Sequence, residues 1–286
     1  MTARGVKRVG VAGLGTMGAG IAQVCIQAGI ETVGREVSDE LCERARERIS
    51  HYVGRGVEKG RLTAEERDAA LARLTTTTDP AGLAGCDVVI EAIVEDLDAK
   101  VGLFHALEAV SSSDAVLATN TSALSVTAIA KACKHPERVV GMHFFNPAPV
   151  LPLVEVVRTE LASDEAVETA YALAERLGKE PIRCNDTPGF VVNRILIPLL
   201  NDCVRVLDEA GVSPEDLDKA MTRGVNWPIG PCALIDLIGV DIHVHASEAL
   251  HDALGEPRMA PPERLVRMRD EGLLGRKSGR GFFGYG

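Results

Sequence analysis

Three glycines near the N-terminus constrain the fold of this chain more than any other feature. Gly13-Leu14-Gly15-Thr16-Met17-Gly18 follows a short apolar run, Val9 to Ala12, and opens a stretch of helical character, Met17 to Ala28, that stops at Gly29. Strand, glycine turn and helix in that order make the first half of a βαβ unit. Gly13 permits the tight turn, Gly15 lets a ligand approach the backbone, and Gly18 lets helix and strand pack closely. The helix start also presents free N–H groups and the positive end of its dipole to an anion such as a pyrophosphate.

The next apolar run, Thr32 to Glu36, ends on an acidic residue about 20 residues beyond the glycines, where a carboxylate accepts hydrogen bonds from an adenosine ribose. Glu36 repels a 2′-phosphate, which favours NAD over NADP; Arg35 beside it pulls the other way. The competing reading is a glycine-rich loop without a ligand and a surface glutamate.

Strand and helix signals keep alternating. A long charged helix pattern runs from Asp39 to about Lys59, interrupted by Gly54 and Gly56. Strand candidates follow at 87–91, 115–119, 139–144 and 153–157. The alternation predicts an α/β fold: a Rossmann-like, doubly wound sheet of parallel strands with helices on both faces. Beyond Cys184 the texture changes. Asp186-Thr-Pro-Gly189 reads as a turn, and the remainder as helices over 190–210, 214–223, 231–254 and about 262–271. The expected division is a NAD-binding domain over 1–185 and an all-α domain for substrate and dimerisation over 186–286.

A chain of 286 residues suits two domains and needs no staples. Its net charge of -10 argues against nucleic acid as the main partner, while a few local cations would suffice for one phosphorylated small molecule. The cysteine count is odd and no C-x-x-C pair occurs, so free thiols are expected rather than disulfides or a metal site. No signal-peptide pattern and no apolar stretch of membrane-spanning length is present, so no membrane partner and a cytoplasmic location are expected.

The chemistry concentrates in Gly141-Met-His143-Phe-Phe-Asn146-Pro and the following Leu153-Val-Glu155-Val-Val. His143 stands at the end of an apolar strand. Glu155 sits in the middle of the next, where a carboxylate is costly unless paired. Together they would form a dyad in which the carboxylate fixes the imidazole tautomer and favours its protonated form. A histidine satisfied in the core is the plainer alternative. Asn120-Thr-Ser122 after a strand and Asn193-Arg at the boundary helix place small polar groups near strand ends, where caps and turns also want them.

Six stretches give a specific resemblance: GLGTMGAGIAQ, VIEAIVEDLDAK, TNTSALSV, GMHFFNPAPVLPLVEVV, DTPGFVVNR and GRKSGRGFFGY. In this order, spanning nearly the whole chain, they resemble the short-chain L-3-hydroxyacyl-CoA dehydrogenase family, which includes 3-hydroxybutyryl-CoA dehydrogenases of fatty acid metabolism. The resemblance implies roles by position. His143 would be the general acid/base and Glu155 its orienting partner, with Ser122 and Asn193 holding the substrate oxygen. Glu36 would take the adenosine ribose, and Glu95, Lys100, Asn146 and Lys277 would line the cofactor cleft. Lys59 would contact coenzyme A, and Lys100 and Ser122 would also reach the substrate. The implied reaction is hydride transfer between C3 of the thioester and the nicotinamide in a cleft between the domains, in a homodimer. The bland alternative for Lys59 is a solvated cation at a helix end.

Some positions depart from the family pattern. Ala123 replaces a second serine, Tyr52 stands where a coenzyme A-contacting serine can occur, and the 225–233 and 243–262 stretches match poorly. These leave substrate identity open. The alternatives are the same chemistry on a short hydroxyacyl group carried by an acyl carrier protein, a related sugar-acid dehydrogenase, and a non-catalytic NAD-binding module.

Overall fold

A computed structural model describes residues 5–286. The chain divides into two compact units between Thr187 and Pro188, inside the Asp186-Thr-Pro-Gly189 turn.

The first unit is built on eight strands: β1 (Arg8–Ala12), β2 (Glu31–Arg35), β3 (Leu74–Thr77), β4 (Val88–Glu91), β5 (Val116–Thr119), β6 (Val139–Phe144), β7 (Leu153–Arg158) and β8 (Glu180–Asn185). Their order in the sheet is β3-β2-β1-β4-β5-β6-β7-β8. Central strands β4, β5 and β6 are buried along their whole length, as strands covered on both faces must be. The edge strands β3 and β8 had no counterpart among the strands expected from sequence. Both are only partly buried and carry threonines or charges, which blunt an edge but leave no apolar run to read.

Six helices complete this unit: α1 (Thr16–Gln27), α2 (Asp39–Glu58), α3 (Ala64–Leu71), α4 (Leu97–Val110), α5 (Val126–Ala132) and α6 (Asp164–Arg176). Ser38, Thr63, Asp96, Ser125 and Ser163 cap α2 to α6 by accepting a hydrogen bond from the first turn, each bond worth about 1 kcal/mol. Helix α2 runs unbroken through Gly54 and Gly56; a side chain at Gly56 would press on Leu62, which packs there instead.

The last two strands, β7 and β8, run opposite to the other six and so depart from the expected parallel pattern. β6 and β7 pair antiparallel, whereas the other neighbours in the sheet are parallel. The link between them, 145–152, is short and contains three prolines, too short for the crossover that a parallel pair requires. Their register sets His143 directly opposite Glu155.

The second unit holds α7 (Val192–Ala210), α8 (Pro214–Gly224), α9 (Pro231–Ile238), α10 (Val240–Leu254) and α11 (Glu263–Asp270). Leu200, Val204, Ile235, Val240, Val244 and Leu265 form its main core. The single helix expected over 231–254 is two, because Gly239 adopts φ 105, a left-handed conformation that ends α9. The last residues are pinned by Asp236, whose buried carboxylate accepts from Phe282 N, Phe283 N and the Tyr285 hydroxyl. The described cysteines are free thiols, and burial pushes that of Cys25 up to about 12. Among the described residues no helix is long and apolar enough to cross a membrane, and no group of His, Cys, Asp or Glu is arranged to hold a metal ion.

Candidate active site

The glycine turn between β1 and α1 is shaped by close approach. Gly13 has φ 90, and a Cβ there would lie 2.7 Å from the Ala92 carbonyl oxygen; at Gly18 it would lie 1.7 Å from that of Gly13. Gly15 is different: a Cβ there would meet nothing within 4 Å. Its neighbourhood is open, and Gly15 itself begins α1 with no side-chain cap. The five other helices of this unit are capped by their own side chains, so the start of α1 alone among them leaves its N–H groups to an outside acceptor. This cradle fits a dinucleotide pyrophosphate. Thr16 begins the helix, Met17 packs against the core, and Leu14 is buried against Gly34.

Glu36 does more than sequence reasoning gave it. Its Oε1 accepts from Leu14 N at 2.6 Å and its Oε2 from Val37 N at 3.0 Å. The carboxylate ties the glycine loop to the end of β2 and keeps lone pairs for a ribose hydroxyl, since a carboxylate offers about four acceptor sites. Arg35 has a buried Nε with no hydrogen-bond partner.

The catalytic candidates meet on β6 and β7. His143 Nδ1 lies 2.7 Å from Glu155 Oε2, and His143 Nε2 lies 3.0 Å from Ser122 Oγ. Glu155 is 0% exposed and His143 4%. A buried carboxylate beside Nδ1 calls for a proton on that nitrogen, which leaves Nε2 as the acceptor for the Ser122 hydroxyl. Asn120 buttresses the site by accepting from Phe144 N at 2.9 Å.

Ser122 is itself held from below. Glu95 Oε1 accepts from Thr121 Oγ1, from Ser122 N at 2.9 Å and from Ala123 N at 3.1 Å. Burial pushes the Glu95 carboxyl up, but Lys100 and these three hydrogen bonds outweigh it and hold it below the usual range. Lys100 is 1% exposed, with its ammonium 2.6 Å from Glu91 Oε1 and 3.3 Å from Glu95 Oε2. A direct contact between Lys100 and a cofactor or substrate would require these ion pairs to open. Glu91 and Thr121 escaped sequence reasoning. The available signal was a glutamate closing the apolar run Val88–Glu91, where burial demands a partner.

Asn146 begins a turn with a cis Asn146-Pro147 bond. Together with Pro147, Ala148, Pro149 and Val150 it walls a groove of about 830 Å³ whose other sides come from α1 and α2. Arg48, Tyr52 and Arg55, at helical spacing along one face of α2, line it together with Lys59 at the helix's C-terminal cap and Arg61. Four cations in one groove of a chain with net charge -10 make a local anion site. In the sequence Lys59 lies within the basic stretch Arg55-Gly-Val-Glu-Lys59-Gly-Arg61. Arg48 lies too far along the helix to be read with them.

Two candidates belong to the second unit. Asn193 stands in the first turn of α7, and Lys277, near the C-terminus, pairs with Asp241 at 2.6 Å.

Comparison with known proteins decides the family. The model of the 3-hydroxyacyl-CoA dehydrogenase NAD binding domain matches residues 8–187, and that of the 3-hydroxyacyl-CoA dehydrogenase C-terminal domain matches 189–285. The chain belongs to the 3-hydroxyacyl-CoA dehydrogenase family. Its cofactor is accordingly NAD, held by the first unit. Within the family, it is 45% identical to a 3-hydroxybutyryl-CoA dehydrogenase of Mycobacterium tuberculosis, over 98% of this chain and 99% of that one. It is 40% identical to a probable 3-hydroxybutyryl-CoA dehydrogenase of Bacillus subtilis, over 98% of both. The crystal structure of (S)-3-hydroxybutyryl-CoA dehydrogenase from Ralstonia eutropha superposes with a TM-score of 0.95 at 39% identity, covering 98% of this chain and 99% of that one.

Proposed function

We propose that this chain interconverts a short 3-hydroxyacyl-CoA and the corresponding 3-oxoacyl-CoA with NAD. The observation that carries the reading is the line Ser122 Oγ–His143 Nε2–Glu155, closed by contacts of 3.0 and 2.7 Å. NAD supplies the hydride acceptor when bound. In the oxidative direction His143 Nε2 takes the proton of the 3-hydroxyl, as a general base within hydrogen-bond reach must. Glu155, deprived of water, stabilises the imidazolium that results and prevents the ring from turning. Once the 3-hydroxyl takes over as donor to Nε2, the Ser122 hydroxyl turns to donate to the substrate oxygen as negative charge develops there, a role the resemblance extends to Asn193. Glu95, fixed by Lys100, keeps Ser122 in place. Gly13 to Gly18 receive the pyrophosphate, Glu36 the adenosine ribose, and Asn146 lines the cofactor's side of the site, a role the resemblance also gives Lys277.

The basic groove supports coenzyme A as the carrier. Its 3′-phosphoadenosine and pyrophosphate carry the charges that Arg48, Arg55, Lys59 and Arg61 would neutralise. Neither a carrier-protein substrate nor a purely structural NAD-binding role is favoured by the named relatives. The test is oxidation of NADH and of NADPH with acetoacetyl-CoA, alongside the same acyl group on an acyl carrier protein. Turnover on the carrier protein alone would overturn the coenzyme A assignment, and turnover on neither would overturn the reaction.

A homodimer completes the reading. Part of the apolar surface of the second unit is internal: Ile197, Leu200 and Ile235 are buried. Ile195, Leu237 and Ile242 are 62%, 52% and 53% exposed, the kind of apolar surface that a second copy covers. A monomeric mass by light scattering at micromolar concentration would contradict it. The free cysteines among the described residues support a reducing, cytoplasmic setting.

A further inference from the structure

Lys179 is a buried cation to which the chemistry above gives no role. It is 9% exposed. Its ammonium donates to the carbonyl oxygens of Ala148 at 2.5 Å and Leu151 at 2.9 Å, and it makes no ion pair with a carboxylate among the described residues. Burial alone pushes its pKa down. An ammonium withdrawn from water without a counter-ion is costly, so the lysine is retained here for the carbonyls it satisfies and not for burial of its stem.

The local sequence explains how it arrives there. Helix α6 ends in a Schellman motif: Gly178, at φ 72, donates to Glu175 O, and Lys179 N donates to Ala174 O. The motif reverses the chain, and Glu180 N then bonds Pro152 O to start β8 beside β7. Lys179 is thereby delivered beneath the 145–152 link between β6 and β7. That link holds three prolines, which provide no backbone N–H, and two of its carbonyls are left to be satisfied from outside. The same link carries Asn146 and, through Ala148, Pro149 and Val150, forms one wall of the basic groove. Its two ends are the strands that bear His143 and Glu155.

We infer that Lys179 is a positioning residue: a charged clamp that holds the 146–151 turn in place and so sets the groove wall against which the thioester carrier lies. The inference rests on the proposed reaction for its ligand but not for its geometry. The charge is kept because hydrogen bonds from an ion to carbonyls are stronger than neutral ones.

The experiment compares the unmodified chain with Lys179→Met, which retains the side-chain length and loses every donor, and Lys179→Arg, which restores charge and donors. Amide hydrogen exchange is followed at Val150 and Leu151, both bonded to Pro147 O, and at the strand amides of β6 and β7. In Lys179→Met the two turn amides should exchange at least tenfold faster while the strand amides stay protected. The KM for acetoacetyl-CoA should rise about tenfold with kcat changed less than threefold, and Lys179→Arg should recover part of both effects. Unchanged turn exchange would overturn the inference, as would a lowered melting temperature with KM unaltered. If Lys179→Met does not fold, the same readouts on Lys179→Gln decide. Should the unmodified chain fail to turn over any coenzyme A thioester, the proposed function falls, while the exchange measurement still decides whether Lys179 holds the turn.

Discussion

His143 and Glu155 face each other across the antiparallel β6–β7 pair, with Nδ1 2.7 Å from a carboxylate that is 0% exposed. The buried carboxylate holds the ring by this direct hydrogen bond. His143→Ala should lower kcat by about 10²–10⁴, the range for loss of a general acid/base. Glu155→Gln should lower it comparably, because the amide neither fixes the productive tautomer nor stabilises the imidazolium. NADH binding, followed by fluorescence, should survive both changes. Turnover near that of the unmodified chain in either variant would remove the dyad from the mechanism.

Glu36 both tethers the glycine turn and faces the position of the ribose. Glu36→Ala should therefore do two things: narrow the preference for NADH over NADPH, and weaken NADH itself, since Leu14 N loses its acceptor at 2.6 Å. The measurement is kcat/KM for each cofactor. Equal efficiency with both in the unmodified chain would contradict the role assigned to this carboxylate, and would point to Arg35 as a 2′-phosphate partner.

The basic groove makes a kinetic prediction. A contact that grips the nucleotide end of coenzyme A binds ground state and transition state alike. Lys59→Ala should raise KM for acetoacetyl-CoA with little change in kcat, and the difference should shrink in added salt because Lys59 is exposed. A pantetheine thioester, which lacks the nucleotide, should show no difference. An equal effect on both substrates would mean that Lys59 acts by supporting the end of α2.

His243 sets an acid limit on stability. It is 0% exposed, its Nε2 bonds Asn201 Oδ1 at 2.8 Å, and its Nδ1 is buried without a partner. Burial pushes its pKa down from 6.5 to about 4. Between these values the unfolded chain takes up a proton that the folded chain refuses, so stability falls as pH drops through this window and the loss is complete below it. The full effect is about 3 kcal/mol, at roughly 1.4 kcal/mol per pH unit. In His243→Gln, which cannot titrate, unfolding free energy measured in urea should gain on that of the unmodified chain by this amount between pH 7 and pH 4. Parallel curves for the two chains would show that His243 does not control the acid limb.

Much of this protein is decided locally and is therefore legible in its residues. The glycine turn, the buried central strands and the helix caps depend on near neighbours and on the periodicity of apolar side chains. For the same reason the candidate dyad could be named before any coordinates, once a carboxylate was seen in an apolar run. What the tertiary structure decided depends on residues far apart in sequence. Only the antiparallel pairing of β6 and β7 puts Glu155 on His143, and only the fold brings Lys100 from α4 onto Glu91 and Glu95. Gly239 divides a helix where it adopts a positive φ. The wall of the basic groove rests on Lys179, whose place follows from where α6 ends. A side chain's partner across the fold is fixed by chain geometry and burial, and these are properties of the packed molecule that no local pattern encodes.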